Sequence, residues 1–251
     1  MKNLEKSKLG LRKTIGIIVA ILITIGIAFV CVVYAITYHS QVEPAEYVQV
    51  YDDVELSYVG RNMYFDGPGE DTLFIFYQGA LVETESYTPL LARLARSGVD
   101  CIAIHAPLNL AALSNYRFDS IIKAERFADY KYHYVGGHAQ GGFYVTDYAF
   151  EKSNEIDGLI LLASYGVKDY RNSDLPVLSI YGSNDKVLDM ENYTISEFFM
   201  PDDFTSVCIS GGNHSYFGFY GEQSGDGDAT IAPKEQWNST VSEINKFINR
   251  E

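Results

Sequence analysis

The chain has 251 residues, 33 of them acidic and 19 basic, giving a formal net charge of −14 at pH 7. That length suits one globular domain of about 200 residues plus an additional segment. The acidic balance excludes a nucleic-acid surface and close adhesion to anionic lipid, and the three cysteines are too few for a disulfide framework.

Residues 1–13 form a basic tail, with Lys2, Lys6, Lys8, Arg12 and Lys13 against the single Glu5. Residues 14–38 read as a transmembrane anchor. From Ile15 to Ala35 no charge appears, and about 21 residues at roughly 1.5 Å each span a bilayer core of about 30 Å. A secretory signal peptide is the competing reading, but its apolar region is usually about 7–15 residues and no small-x-small cleavage site follows Val33. An excess of positive charge before the span keeps the N-terminus cytoplasmic. The expected arrangement is a single pass through the cell membrane, a polar tether over 39–53 and an extracytoplasmic domain over 54–251.

Within that domain, Val54–Val59 and Asn62–Phe65 alternate in character and flank Gly60-Arg61, which predicts an edge hairpin. Apolar runs of strand length then alternate with helix-length segments. The strands are "TLFIFYQG", "VDCIAIHAP", "YHYVGG", "DGLILLASYG", "PVLSIYGSND" and "FTSVCISGGNH". The helices include "SYTPLLARLARSG", a stretch near Asp119–Asp129, "GGFYVTDYAFEK", a stretch near Met190–Met200 and "PKEQWNSTVSEINKFINR". Strands that are apolar throughout and separated by helices predict a doubly wound, mostly parallel sheet covered on both faces. Cys101 and Cys208 fall in such runs and are expected to be reduced, buried core residues.

Ligands of such folds sit beyond the carboxyl ends of the strands. After "KYHYV" the chain runs through Gly136-Gly137-His138-Ala139-Gln140-Gly141-Gly142 into a helix. This is the pattern of a nucleophile elbow, G-x-S-x-G, with Ala139 where the serine stands and Gly137 and Gly141 allowing strand and helix to approach. Asp185 lies just past the strand of "LSIYGSND", where a carboxylate can orient a histidine. His214 follows "ISGGN" at another strand end. Positions 139, 185 and 214 thus keep the chain order of nucleophile, acid and histidine. Asp226 and Asp228 in "SGDGDAT" are spaced like part of a calcium loop, but the bidentate Glu is missing downstream, and a surface turn is expected.

Over about Asp71 to Glu251 these motifs, with "FIFYQGALVETESYTPLLARLA", "APLNLA" and "GGNHSYFGFYGEQSGDGDATI", resemble the α/β-hydrolase superfamily, specifically its small cap-less branch of dienelactone hydrolases and bacterial predicted esterases. The resemblance implies an α/β-hydrolase fold and hydrolysis of carboxylic esters or related acyl substrates without a cofactor or metal. It implies Asp185 and His214 as acid and base, Ala139 at the nucleophile's place, and an elbow of Gly137, His138 and Gly141. The oxyanion hole would then be made by backbone N–H groups of Gly79, Ala80 and Gln140, main-chain donors that survive the substitution.

Alanine at position 139 forbids an acyl-enzyme there. Three readings follow. The chain is a hydrolase carrying an inactivating Ser→Ala change, a pseudoenzyme that binds or scaffolds an acyl or ester ligand, or a weak catalyst in which His214 activates water directly.

Overall fold

The computed structural model describes residues 2–114 and 117–250, with side chains from position 12 onward save position 117. The chain divides into two compact units after Thr37. The first is a single helix, α1 (Lys2–Ile36), so the expected tail of residues 1–13 is, from Lys2 on, the opening turns of the same helix as the anchor. Within Arg12–Ile36 a stretch of 18 residues reaches a mean hydropathy of 3.1, and none of that stretch is buried by protein. It is long and apolar enough to cross a bilayer.

The second unit begins at Tyr38, and here the expected tether is corrected. Tyr38 forms a parallel bridge with Val82. Pro44 opens a one-turn helix, α2 (Pro44–Val48), which buries Pro44 and Val48. Val48 and Val54 join the same apolar core as Leu90, Leu91 and Trp237. A segment whose polar residues predict a free linker is held down because its few apolar side chains have a core to enter.

Among the described residues, eight strands form one sheet in the order β1-β2-β4-β3-β5-β6-β7-β8. They are β1 (Glu55–Val59), β2 (Asn62–Asp66), β3 (Thr72–Tyr77), β4 (Asp100–Ile104), β5 (Tyr132–His138), β6 (Gly158–Leu162), β7 (Val177–Gly182) and β8 (Phe204–Ile209). The β1–β2 hairpin joins β4 antiparallel, and β4, β3, β5, β6, β7 and β8 are mutually parallel. The expected edge hairpin is present, with β1 at the edge and β2 one strand in. The helices are α3 (Thr88–Arg96), α4 (Arg117–Ile122), α5 (Gln140–Glu151), α6 (Met190–Glu197) and α7 (Pro233–Ile248). The helix expected near Asp119–Asp129 is shorter, ending at Ile122 before a 3-10 turn at Glu125–Phe127.

Strand alternation divides the core in two. Phe74 and Phe76 of β3 face α3 and α7, packing with Leu91, Leu94 and Phe247. Leu73, Ile75 and Tyr77 face the other way, toward Phe118, Val145 and Tyr148 of α4 and α5. With both faces covered, β3 is buried along its whole length. Cys101 on β4 is buried as expected, but Cys208 is exposed. It lies on β8, the other edge of the sheet, where Thr205 and Ser206 are exposed too.

Candidate active site

The site begins with the turn after β5. A single residue, Ala139, separates that strand from α5, with φ +48° and ψ −119°. L-residues rarely adopt positive φ, so the turn carries backbone strain. Ala139 N–H donates to the Leu162 carbonyl of neighbouring β6 at 2.9 Å, which pins the turn to the sheet. The flanking glycines are required by proximity. A methyl at Gly141 would lie 2.3 Å from the Gln78 carbonyl oxygen, and one at Gly137 would lie 2.7 Å from Gly141 backbone.

Asp185 and His214 come from the ends of β7 and β8. Gly182 lets these ends meet, since a side chain there would strike Gly212 backbone at 2.4 Å. His214 Nδ1 and Asp185 Oδ2 are 2.9 Å apart, and both side chains are almost wholly buried. Asp185 Oδ1 accepts the N–H groups of Val187 (2.9 Å) and Leu188 (2.8 Å). A carboxylate gripped at one oxygen and offering the other fixes an imidazole's tautomer and direction.

Asp226, read from sequence only as part of a surface turn, organises both loops. Its Oδ1 accepts Lys186 N–H (3.3 Å), His214 N–H (3.2 Å) and Gly227 N–H (2.8 Å), and its Oδ2 accepts Ser215 N–H (2.9 Å). One carboxylate therefore ties the backbone beside Asp185 to the backbone of His214. Gln236 of α7 supports the same loop through reciprocal bonds to the main chain of Asn213.

His138 is buried, with its ring centroid 4.5 Å from that of His214. Burial, with the neighbouring His214 adding to it, holds its pKa well below the usual histidine value, so the ring is neutral. The Tyr87 hydroxyl accepts Gly79 N–H at 2.9 Å and lies 2.8 Å from His138 Nδ1. This corrects one expectation: Gly79 N–H is already engaged by Tyr87 and is not free to face an oxyanion. Ala80 follows it in the loop, and Gln140 opens α5, where first-turn N–H groups lack acceptors within the helix.

The loop after β3 is held by contacts that sequence reasoning missed. Buried Gln78 accepts from Thr84 Oγ1 at 2.8 Å, and Leu81 N–H reaches the Asn109 carbonyl at 2.8 Å. Leu81 and Asn109 both have positive φ. No periodicity announces such residues; a clue lies only in polar side chains directly after a buried strand, such as Gln78 after "TLFIFY".

All these loops open into one cavity of about 390 Å³, lined by Gly79, Ala80, Val82, His138, Ala139, Gln140, Phe143, Tyr144, Leu188 and His214 among others. Ser164 also lines it, but its hydroxyl donates to the Ala139 carbonyl at 2.8 Å. Cys101 and Cys208 do not. Every residue expected at the site is therefore brought to one cleft, apart from Asp185, Gly137 and Gly141, which stand behind it.

The sequence profile of the alpha/beta hydrolase family matches residues 73–238. Curated proteins yield no sequence match. Among solved structures, the fold is similar to Est1E from Butyrivibrio proteoclasticus, with a TM-score of 0.56 and 14% identity over 79% of this chain and 100% of that one. It is similar also to TT1662 from Thermus thermophilus, with a TM-score of 0.57 and 12% identity over 79% and 99% of the two chains. A predicted CIB-like hydrolase from Thermoplasma acidophilum gives a TM-score of 0.56 and 14% identity over 77% and 97%. With the eight-stranded sheet, the strained turn after β5 and a match reaching from β3 into α7, the chain belongs to the alpha/beta hydrolase family.

Proposed function

We propose that this is a membrane-anchored member of the small cap-less esterase-like branch, with a site built for acyl transfer and severely impaired by alanine at the nucleophile's position. The observation that carries this reading is the bonded pair His214–Asp185 in the same cleft as a backbone strained at Ala139. A non-glycine residue held at φ +48° at the junction of β5 and α5, beside that pair, is the strained strand-to-helix turn of a nucleophile elbow.

With an oxygen on residue 139, His214 Nε2 would take its proton, and Asp185 would hold the imidazole by Nδ1–H and stabilise the imidazolium. The N–H groups of Ala80 and Gln140 would meet the negative charge on the carbonyl oxygen. Without that oxygen no acyl-enzyme forms, and His214 can act only on water. Serine-protease precedent leaves about 10³–10⁴-fold over water when a triad member is removed.

The intact cleft equally supports a second reading as a binding domain for an acyl or ester ligand, because its walls and N–H donors do not depend on residue 139. In either case α1 anchors the domain, with the basic end cytoplasmic and the acidic domain outside the cytoplasm. Covalent labelling by a fluorophosphonate decides between them. Ala139→Ser is expected to take up about one equivalent on the introduced hydroxyl, and the unaltered chain none. A folded Ala139→Ser chain that does not label overturns the hydrolase reading and leaves the binding one.

A further inference from the structure

The loop after β3 offers the cleft one main-chain donor, and a buried pair of side chains decides which. Of the four N–H groups from Gly79 to Val82, three are taken. Gly79 N–H goes to the Tyr87 hydroxyl, Leu81 N–H to the Asn109 carbonyl, and Val82 N–H to the Gly79 carbonyl at 3.3 Å. Among the described residues, Ala80 N–H alone in this run has no acceptor, and Ala80 lines the cleft. Because a trans peptide is planar, turning the Gly79 carbonyl toward Val82 turns Ala80 N–H the opposite way.

Tyr87 closes a short 3-10 turn (Thr84–Tyr87) that grips the end of β3 twice, Thr84 on Gln78 and Tyr87 on Gly79. Tyr87 and His138 are both wholly buried. Burial pushes the Tyr87 pKa up, so the hydroxyl keeps its proton. Among the described residues its only acceptor is His138 Nδ1, 2.8 Å away. His138 is therefore the tautomer with Nδ1 bare and the proton on Nε2, which faces the His214 main chain without a hydrogen bond of normal geometry. The pair leaves no room at the loop: a methyl at Gly79 would lie 2.9 Å from His138 Nδ1 and 3.1 Å from the Tyr87 oxygen. Glycine at position 79 answers to this contact, whatever stands at 139.

We infer that Tyr87, oriented by His138, is a positioning residue for anion stabilisation: it withdraws Gly79 N–H from the cleft and holds Ala80 N–H toward a carbonyl or tetrahedral oxygen bound there. With Gln140 N–H this makes a site of two main-chain donors. The inference rests on the acyl-binding reading above but requires no turnover.

The test uses the full, unaltered chain in detergent micelles, with methyl butylphosphonate, a tetrahedral monoanion, as probe. Gly-Ala and Ala-Gln each occur once in the sequence, at 79–80 and 139–140. Isotope labelling of the carbonyl carbon in the first residue type and the amide nitrogen in the second therefore reports Ala80 and Gln140 singly by NMR. Both amides are expected to shift saturably with the probe. In Tyr87→Phe the Gln140 shift should persist while the Ala80 shift falls, and affinity should drop about tenfold, less than the loss of a whole donor. His138→Leu should do the same, whereas His138→Gln, which keeps an acceptor for the hydroxyl, should restore most of the affinity. Nitrogen spectra of the unaltered chain should show His138 Nδ1 unprotonated. A protonated Nδ1 overturns the inference, and so does a folded Tyr87→Phe chain whose affinity is unchanged or whose two amides fail together. Neither amide shifting in the unaltered chain rejects the acyl-binding reading along with it. The expected shifts beside an inert Ala139→Ser protein would leave this inference standing and reject only the hydrolytic reading.

Discussion

At the level of single residues, Ala139 carries the largest consequence. Positive φ at a non-glycine residue costs about 1–3 kcal/mol, and glycine removes that strain at an unfolded-state penalty of about 0.4–1 kcal/mol. Ala139→Gly should therefore stabilise the protein by about 1 kcal/mol in denaturant titrations; a loss of stability would show that the turn is not strained. His138 supplies a pH dependence. Burial holds its folded-state pKa well below the usual value, whereas the unfolded chain takes up a proton near pH 6.5. Its neutral form thus contributes stability that is fully present above about pH 6.5 and lost as pH falls, by up to about 1.4 kcal/mol per pH unit. His138→Gln should flatten that acid limb; an unchanged slope would assign it to other groups.

At the level of elements, the site depends on how closely strand ends approach. Gly141→Ala would drive a methyl into the Gln78 carbonyl at 2.3 Å. Backbone has to move to relieve this, and a loss of about 3 kcal/mol or more is expected in thermal or chemical unfolding. Asp226→Ala removes the acceptor shared by three N–H groups on the two loops that carry Asp185 and His214, and by the adjacent Gly227 N–H. Because Asp226 is only half-buried, water can replace part of this, and a loss of about 1–3 kcal/mol is expected.

These two positions also show what sequence can and cannot reveal. Gly141 is legible because glycine on either side of a strand-to-helix junction has a local reason, as have the all-apolar strands that placed β3 to β7 correctly. Asp226 is not. Its role depends on meeting backbone from a loop some forty residues earlier, and its neighbours Gly225 and Asp228 read only as a turn. Tyr38 is hidden in the same way, since only its long-range pairing with Val82 turned an expected tether into part of the domain. The mistake about Cys208 came from treating every apolar run as central, when β8 is an edge. Gly79 was misjudged because a hydroxyl from Tyr87, outside the loop, takes its N–H.

On the scale of the whole molecule, the account joins a helix able to span a bilayer to an alpha/beta hydrolase domain. The full chain should stay in the membrane pellet after alkaline carbonate washing and move to the soluble phase only in detergent; release by carbonate would contradict the anchor. The central claim, that the machinery is complete except for one oxygen, is tested most directly by kcat/KM for a short acyl ester, comparing the detergent-solubilised chain as it stands with its Ala139→Ser form. The account predicts a gain of about 10³-fold or more, abolished when His214→Ala is added. A folded Ala139→Ser protein no faster than the original would contradict it.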